Sequence, residues 1–444
     1  MTTLMWTYHP DLLATPVPRY TSFPTAAEFG EEVGPADLST ALDGVADDQP
    51  VSLYLHIPYC EKICWYCGCN TGAANRTGRL ASYLESLGQE VDLIARALAG
   101  RGKVGRIAFG GGSPNAIAPE QFDALIGRVR SAFACGDATV SVELDPRGFG
   151  TEWRDTLARN HVTRASLGVQ TFDPGIQAAI GRVQPLEEVA RVTDWLREAG
   201  ISSLNFDLMY GLPGQSDAIL EETIDSALAL GPDRLAVFGY AHVPHLVPRQ
   251  RRIEATALPD APARFGQALL SYRHLTEAGY APIGFDHFAL PDDAIAIAAR
   301  TGKLRRNFQG FTEDQADVLI GMGASAISAF PGALLQNEKN SGRYQLRIGS
   351  GSSAIARGLR RSALDQLRAK AIESLLCAGT ADLASLPDLD HVRRRLAGIA
   401  DRGLIYWTGS RLGLADGALP YARTIAAALD PYRHASTVRF SSAV

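Results

Sequence analysis

The chain has 444 residues, 46% of them hydrophobic and 20% charged, with a formal net charge of −5 at pH 7. That length buries a large core and predicts more than one domain, and the mildly acidic balance argues against a general nucleic-acid or membrane-surface binder. The first nine residues lack a basic segment followed by an apolar one, so no signal peptide is expected. The longest uncharged stretch, 318–336, is broken by Gly321, Gly323, Pro331 and Gly332, so no membrane span is expected either. Clustered cysteines fit a reducing compartment, and the expectation is a soluble, cytoplasmic protein.

Residues 1–50, punctuated by Pro16, Pro18, Pro24 and Pro35, read as an N-terminal arm that wraps a core and ends in a short helix near 38–45. From residue 51 short apolar runs alternate with amphipathic stretches. Strands are predicted at 51–57, 106–109, 139–144, 165–169, 203–208 and 234–238, and helices at 80–98, 119–133, 150–159, 186–199 and 218–230. Such alternation implies a parallel sheet, and six units are too few for an eight-fold barrel. The expected class is α/β, a partial (β/α)6 barrel with its extension over 51–340. Beyond residue 280 the rhythm fades into loops at 284–289 and 305–311. A mostly helical, winged-helix-like covering domain is expected over 341–444, with helices at 364–376 and 391–401, a hairpin at 404–414 and a helix at 419–429. Without an overall basic face it reads as a cover rather than a DNA reader.

Cys60, Cys64 and Cys67 directly follow the first predicted strand in C-x3-C-x2-C spacing. Thiolates hold iron–sulfur clusters, and soft sulfur selects such clusters or zinc. A structural zinc site would show two separated ligand pairs, and no second C-x2-C or H-x3-H is present. The spacing points to a [4Fe-4S] cluster with three protein ligands and one iron left open. Cys69 is given no ligand role, since a fourth thiolate would close that corner. Cys135 and Cys377 read as core residues.

Each predicted strand ends in polar or flexible chemistry, as the functional face of a parallel barrel does. The first runs into His56 and the cysteines, and the second into Gly110-Gly111-Gly112-Ser113-Pro114. The others end at Glu143, at Gly168-Val-Gln170, at Asp207 and at Tyr240-Ala241-His242. The glycine run allows close backbone approach to a ligand, though alone it equally suits a tight turn. Glu143, Gln170, Arg182 and Asp207 fit either rim salt bridges or cofactor contacts. A carboxylate can accept from two ribose hydroxyls, and a guanidinium can grip a carboxylate with two bonds. His56 is either a satisfied structural histidine or a hydrogen-bonding partner of cofactor or substrate.

The cysteine run resembles the signature of the radical S-adenosylmethionine (SAM) superfamily. Arg19-Tyr-Thr-Ser-Phe-Pro-Thr25, Cys67-Gly-Cys69-Asn70, Glu143-Leu-Asp-Pro-Arg147, Gly168-Val-Gln-Thr-Phe172, Asp207-Leu-Met-Tyr-Gly-Leu-Pro213 and Asn307-Phe-Gln-Gly-Phe311 together resemble the oxygen-independent coproporphyrinogen III oxidases of haem (porphyrin) biosynthesis. The likeness runs over almost the whole chain. It implies an oxidoreductase that converts two propionate side chains of coproporphyrinogen III to vinyl groups, giving protoporphyrinogen IX, by 5′-deoxyadenosyl radical chemistry. It also implies a [4Fe-4S] cluster on Cys60, Cys64 and Cys67 and two SAM molecules. Carried over by position, the first SAM would meet Tyr54, Gly111, Glu143 and Ile327. The second would meet Tyr66, Gly112, Ser113, Gln170, Arg182, Asp207 and Ala241. Arg19, Lys62, Arg305 and Arg306 are candidate cations for the substrate's carboxylates. An electron-donor protein is an expected partner, nucleic acid is not, and a monomer is expected. Another radical SAM reaction on a tetrapyrrole (methyl transfer or haem ring opening), a related haem chaperone, and a zinc-bearing nucleic-acid module are the alternatives. Ser113 and Asn115 stand where the family pattern has threonines, Tyr66 where it has phenylalanine, and the end at 438–444 lacks the arginine usual directly after the serine.

Overall fold

The computed structural model describes residues 6–74 and 77–434; the first five residues and the atypical end at 438–444 lie outside them. Strand β1 (Pro50–Ile57) shows why the strands form where they do. Val51, Leu53, Leu55 and Ile57 point to one face and are buried, while Ser52, Tyr54 and His56 alternate to the other. The following helix, Thr77–Leu98, carries Leu80, Tyr83, Leu87, Val91, Ile94 and Leu98 at spacings of three or four. This stripe is buried in the same apolar core as β1, each large side chain contributing on the order of 2 kcal/mol.

The pattern repeats through β2 (Lys103–Gly111), β3 (Thr139–Leu144), β4 (Arg164–Gln170), β5 (Ser203–Tyr210) and β6 (Arg234–Gly239), all parallel. The six sequence-predicted strands and the five helices between them are present, with ends moved by at most three residues. A seventh parallel strand, β7 (Val318–Met322), pairs with β1. The sheet continues antiparallel beyond it through Ile327–Phe330, Ala333–Asn337 and Ile355–Arg360, and beyond β6 through His287–Ala289 and Ala281–Ile283. Among the described residues the two ends do not pair, so the barrel stays open. Its sheet also runs past the boundary expected at residue 340.

The end opposite the strands' C-termini carries a charge cluster. Arg106 on β2, Arg164 on β4 and Arg234 on β6 converge on Glu313, with Asp314 and Asp293 beside them. Ser52 of β1 bonds to Asp314. Side chains from alternate strands thus build one layer, as in complete parallel barrels.

The C-terminal unit packs helices Ala363–Ala378 and Leu389–Ala400 with a small sheet. The expected hairpin is there (Ile405–Thr408 with Arg411–Leu414), joined by a third strand, Thr380–Asp382. The expected last helix is divided into a 3-10 turn at Leu419–Tyr421, a short α-helix at Ala422–Ala426 and a second 3-10 turn at Ala427–Leu429. The arm wraps back onto helix Ala261–Glu277 and onto this unit. Trp6 packs on Phe265 and Tyr272, Tyr421 Oη donates to Thr7 O at 2.6 Å, and Tyr20 Oη donates to Asp430 at 3.0 Å. Among the described residues no helix is long and apolar enough to cross a membrane.

Candidate cluster and cofactor site

The C-terminal ends of β2 to β6 and the cysteine loop line one cleft of about 540 Å³. The loop is held at several points. Tyr59–Cys60 pairs with Gly72–Ala73, Trp65 N donates to Ile180 O at 2.9 Å, and Gln250 Nε2 donates to Tyr66 O at 2.8 Å. Cys60, Cys64, Cys67 and Cys69 all line the cleft. Cys64 is buried, and Arg147 and Arg182 each place a guanidinium nitrogen 3.2 Å from its sulfur. Asp145 bonds both arginines and fixes them there. Its carboxyl is held below the usual range because these two cations outweigh its burial. A hydrogen bond from Cys69 brings the Cys67 thiol down to about 6, whereas burial pushes Cys60 up to about 12.

These residues fit the cluster that their spacing implies. Among the described residues no three His, Cys, Asp or Glu side chains converge as the ligands of a single ion do. Three thiolates that each hold a different iron share no such centre. The donors are all soft sulfur, and two fixed cations at Cys64 offset thiolate charge.

The glycine run is shaped by its neighbours. A Cβ on Gly112 would lie 2.4 Å from Tyr59 O and 2.8 Å from Tyr59 N, both backbone atoms. Gly111 has φ +120°, and a Cβ there would meet the His56 ring at 2.7 Å. The chain can therefore pass between the cysteine loop and His56 only without side chains. Gly111 N donates to Glu143 Oε2 at 3.1 Å. The Glu143 side chain opens into the cleft, yet protein walls otherwise surround it. That burial, reinforced by Asp207, pushes its carboxyl up to about 7. Asp207 is held by Asn205 (2.8 Å) and Ser166 (3.1 Å) and is also raised by burial. Gln170 sits at a bulge with φ +69°.

The cleft brings together Tyr66, Gly111, Gly112, Glu143, Gln170, Arg182, Asp207 and Ala241, with Arg19 and Lys62 at its edge. Arg182 is already engaged by Cys64, Asp145 and Gly168 O, which makes it a brace of the cysteine loop. Six expected residues do not line the cleft. Ser113 turns to Asn115 and a small adjoining cavity. Ile327 lies in the strand beyond β7. Tyr54 and His56 lie behind Gly111, with Tyr54 Oη 3.0 Å from His56 Nδ1 and Ser325 Oγ 3.3 Å from Nε2. Burial lowers His56 to about 4, so its ring is neutral. Arg305 and Arg306 are elsewhere. Arg305 pairs with Glu373 and Asp317, and Arg306 donates to Arg19 O and Tyr20 O and lies over Phe311.

Sequence reasoning missed Gln250 and Arg249. Gln250 is buried and also donates to Ala241 O at 3.0 Å, while Arg249 donates to Cys69 O and Thr71. The available signal was the run Pro248-Arg-Gln-Arg-Arg252, just after the sixth strand. Ser325 was also missed, its φ of +67° being invisible in sequence.

A family model described as the Radical SAM superfamily matches residues 54–227. An oxygen-independent coproporphyrinogen III oxidase of Bradyrhizobium diazoefficiens is 43% identical over 425 residues, covering 94% of either chain. The Escherichia coli protein of the same name is 38% identical over 372 residues, 83% of this chain and 80% of that one. A solved structure of coproporphyrinogen III oxidase from Escherichia coli, described as a radical SAM enzyme, superposes with a TM-score of 0.91 at 34% identity. It covers 97% of this chain and 100% of that one.

Proposed function

The chain belongs to the oxygen-independent coproporphyrinogen III oxidases of the radical SAM superfamily, and from that membership we propose how its own residues divide the work. It is an oxidoreductase that converts two propionates of coproporphyrinogen III to vinyl groups with a [4Fe-4S] cluster and SAM. When bound, cluster and SAM supply the one-electron chemistry that removes hydrogen from the propionate β-carbon, one carbon away from the one that bears the departing carboxyl.

Cys60, Cys64 and Cys67 hold the cluster, and Arg147 and Arg182 orient the Cys64 sulfur. Gly111 and Glu143 receive the first SAM, with Tyr54, His56 and Ile327 shaping the wall behind. Tyr66, Gly112, Gln170, Asp207 and Ala241 receive the second, Asp207 accepting from ribose hydroxyls, with Ser113 and Arg182 supporting them. Arg19 and Lys62 meet substrate carboxylates at the rim. A separate donor protein delivers electrons, and the chain works in the cytoplasm as a monomer.

The observation that carries this reading is one cleft bordered by three cysteines and by the polar ends of five consecutive strands. The test is anaerobic reconstitution with iron and sulfide, followed by reaction with SAM and coproporphyrinogen III. The expected result is 5′-deoxyadenosine together with a product lighter by two carbon dioxides. A product of increased mass would refute it.

A further inference from the structure

A second and larger cavity, of about 890 Å³, lies where the arm, the outer strands of the sheet and helix Ala363–Ala378 meet. Its size is within the range of small-molecule sites. Its walls are apolar where the strands and helix face it, at Leu319, Leu334 and Ile372, and Phe23 and Phe308 extend them. Its charged lining comprises four cations, Arg305, Arg306, Arg361 and Lys370, against two carboxylates, Asp317 and Glu373. Both carboxylates are consumed by Arg305.

The other cations leave polar groups unmet. Arg306 Nη1 and Arg361 Nε are buried and have no hydrogen-bond partner among the described residues. Neither atom is open to the void itself, so they add uncompensated positive charge to its wall rather than a direct contact, and the surplus of four cations over two carboxylates in the lining favours an anionic ligand. Apolar walls with an excess of positive charge match a carboxylated macrocycle better than a nucleotide, for which the lining has no carboxylate left to hold ribose.

We propose that this cavity binds the tetracarboxylate tetrapyrrole substrate, its rings against the apolar walls and its carboxylates on Arg306, Arg361 and Lys370. The inference rests on the substrate reading above and assigns the body of that substrate to this cavity, leaving Arg19 and Lys62 to a carboxylate that reaches the cysteine cleft. The two cavities share no lining residue. Ala329, in the cavity lining, is two residues from Ile327 on the same strand face, about 6.6 Å away. A macrocycle in the cavity would meet the cofactor by that edge, through the contact with the first SAM assigned above to Ile327.

The test uses the full-length, anaerobically reconstituted protein with saturating SAM, and titrates coproporphyrin III as a stable fluorescent stand-in for the substrate. The double variant Arg361→Gln/Lys370→Gln is expected to weaken binding at least tenfold with an unchanged melting midpoint, and Arg361→Lys to recover part of the loss. Protoporphyrin IX, with two carboxylates, is expected to bind more weakly to the wild type. Binding of coproporphyrin III within twofold of wild type in the double variant, or protoporphyrin IX bound as tightly as coproporphyrin III, overturns the assignment. Cleavage of SAM is measured in the same preparations. Its absence in the wild type counts against the proposed function, and its presence with variant-insensitive porphyrin binding counts against this cavity alone.

Discussion

Substituting Gly112 by alanine tests whether the glycine run is a close-approach point of the cysteine loop. The backbone at Gly112 is not left-handed, so the expected effect is steric. The added methyl falls 2.4 Å from Tyr59 O, and relief to an ordinary contact at 3.4 Å requires about 1 Å of separation between two backbone segments. Those segments are tied by Gly112 N to Ile57 O at 2.9 Å and Ser113 N to Tyr59 O at 2.8 Å. Stretching both bonds costs about 1 kcal/mol each, and the overpacking costs roughly 1–3 kcal/mol more. Destabilisation of about 3–5 kcal/mol is expected in urea unfolding, together with reduced iron per chain because Cys60 follows Tyr59 directly. Gly127→Ala is the control. Its Cβ meets nothing within 4 Å in helix Pro119–Phe133, so it is expected to stabilise by about 0.5–1 kcal/mol. A Gly112→Ala protein with wild-type stability and full iron content would refute the reasoning.

Glu313→Gln removes the charge that three arginines share near the N-terminal ends of the strands. It is expected to cost about 3–5 kcal/mol in chemical denaturation, and an unmoved midpoint would contradict that role. Gln250→Ala deletes the side chain that ties Tyr66 O, Ala241 O and Val243 N together. Faster amide exchange over residues 66–72 is expected, with a local loss of about 2–3 kcal/mol, and unchanged protection would count against the clamp. Glu143 is raised from 4.5 to about 7, so below that pH its carboxyl is protonated and accepts fewer hydrogen bonds. SAM affinity is expected to fall as pH drops from 8 to 6, by at most about tenfold per unit, with Glu143→Gln weak at both pH values. Linkage runs the other way for folding: the proton on Glu143 stabilises the folded chain fully below pH 4.5, and this is lost as pH rises through about 7. An equally steep affinity profile in Glu143→Gln would refute the assignment.

The inner strands were legible because each apolar run is bounded by helical periodicity, and because Glu143, Gln170 and Asp207 fall at the ends of their runs. The outer strands were not. Val318–Met322 and Ala333–Asn337 are buried at every position, so they show no alternation and pass for one uncharged stretch. Within that stretch Ser328 bonds Gly321 N across neighbouring strands, which makes a polar residue look like a break. The three cysteines were readable because a short loop carries them. That Arg305 and Arg306 line a different cavity from the cysteines was not legible, because their partners, Glu373, Arg19 and Tyr20, are fixed by tertiary contacts that local pattern does not encode.

The bond from Tyr20 to Asp430 links positions 410 residues apart. The thiols, by contrast, sit within one short loop beside β1. Closing so long a loop is entropically slow, and during translation it must await Asp430. The thiols thus gather early on the ribosome while the flank beside them stays ajar, and the arm is drawn shut only after the unit that carries Asp430 has been made.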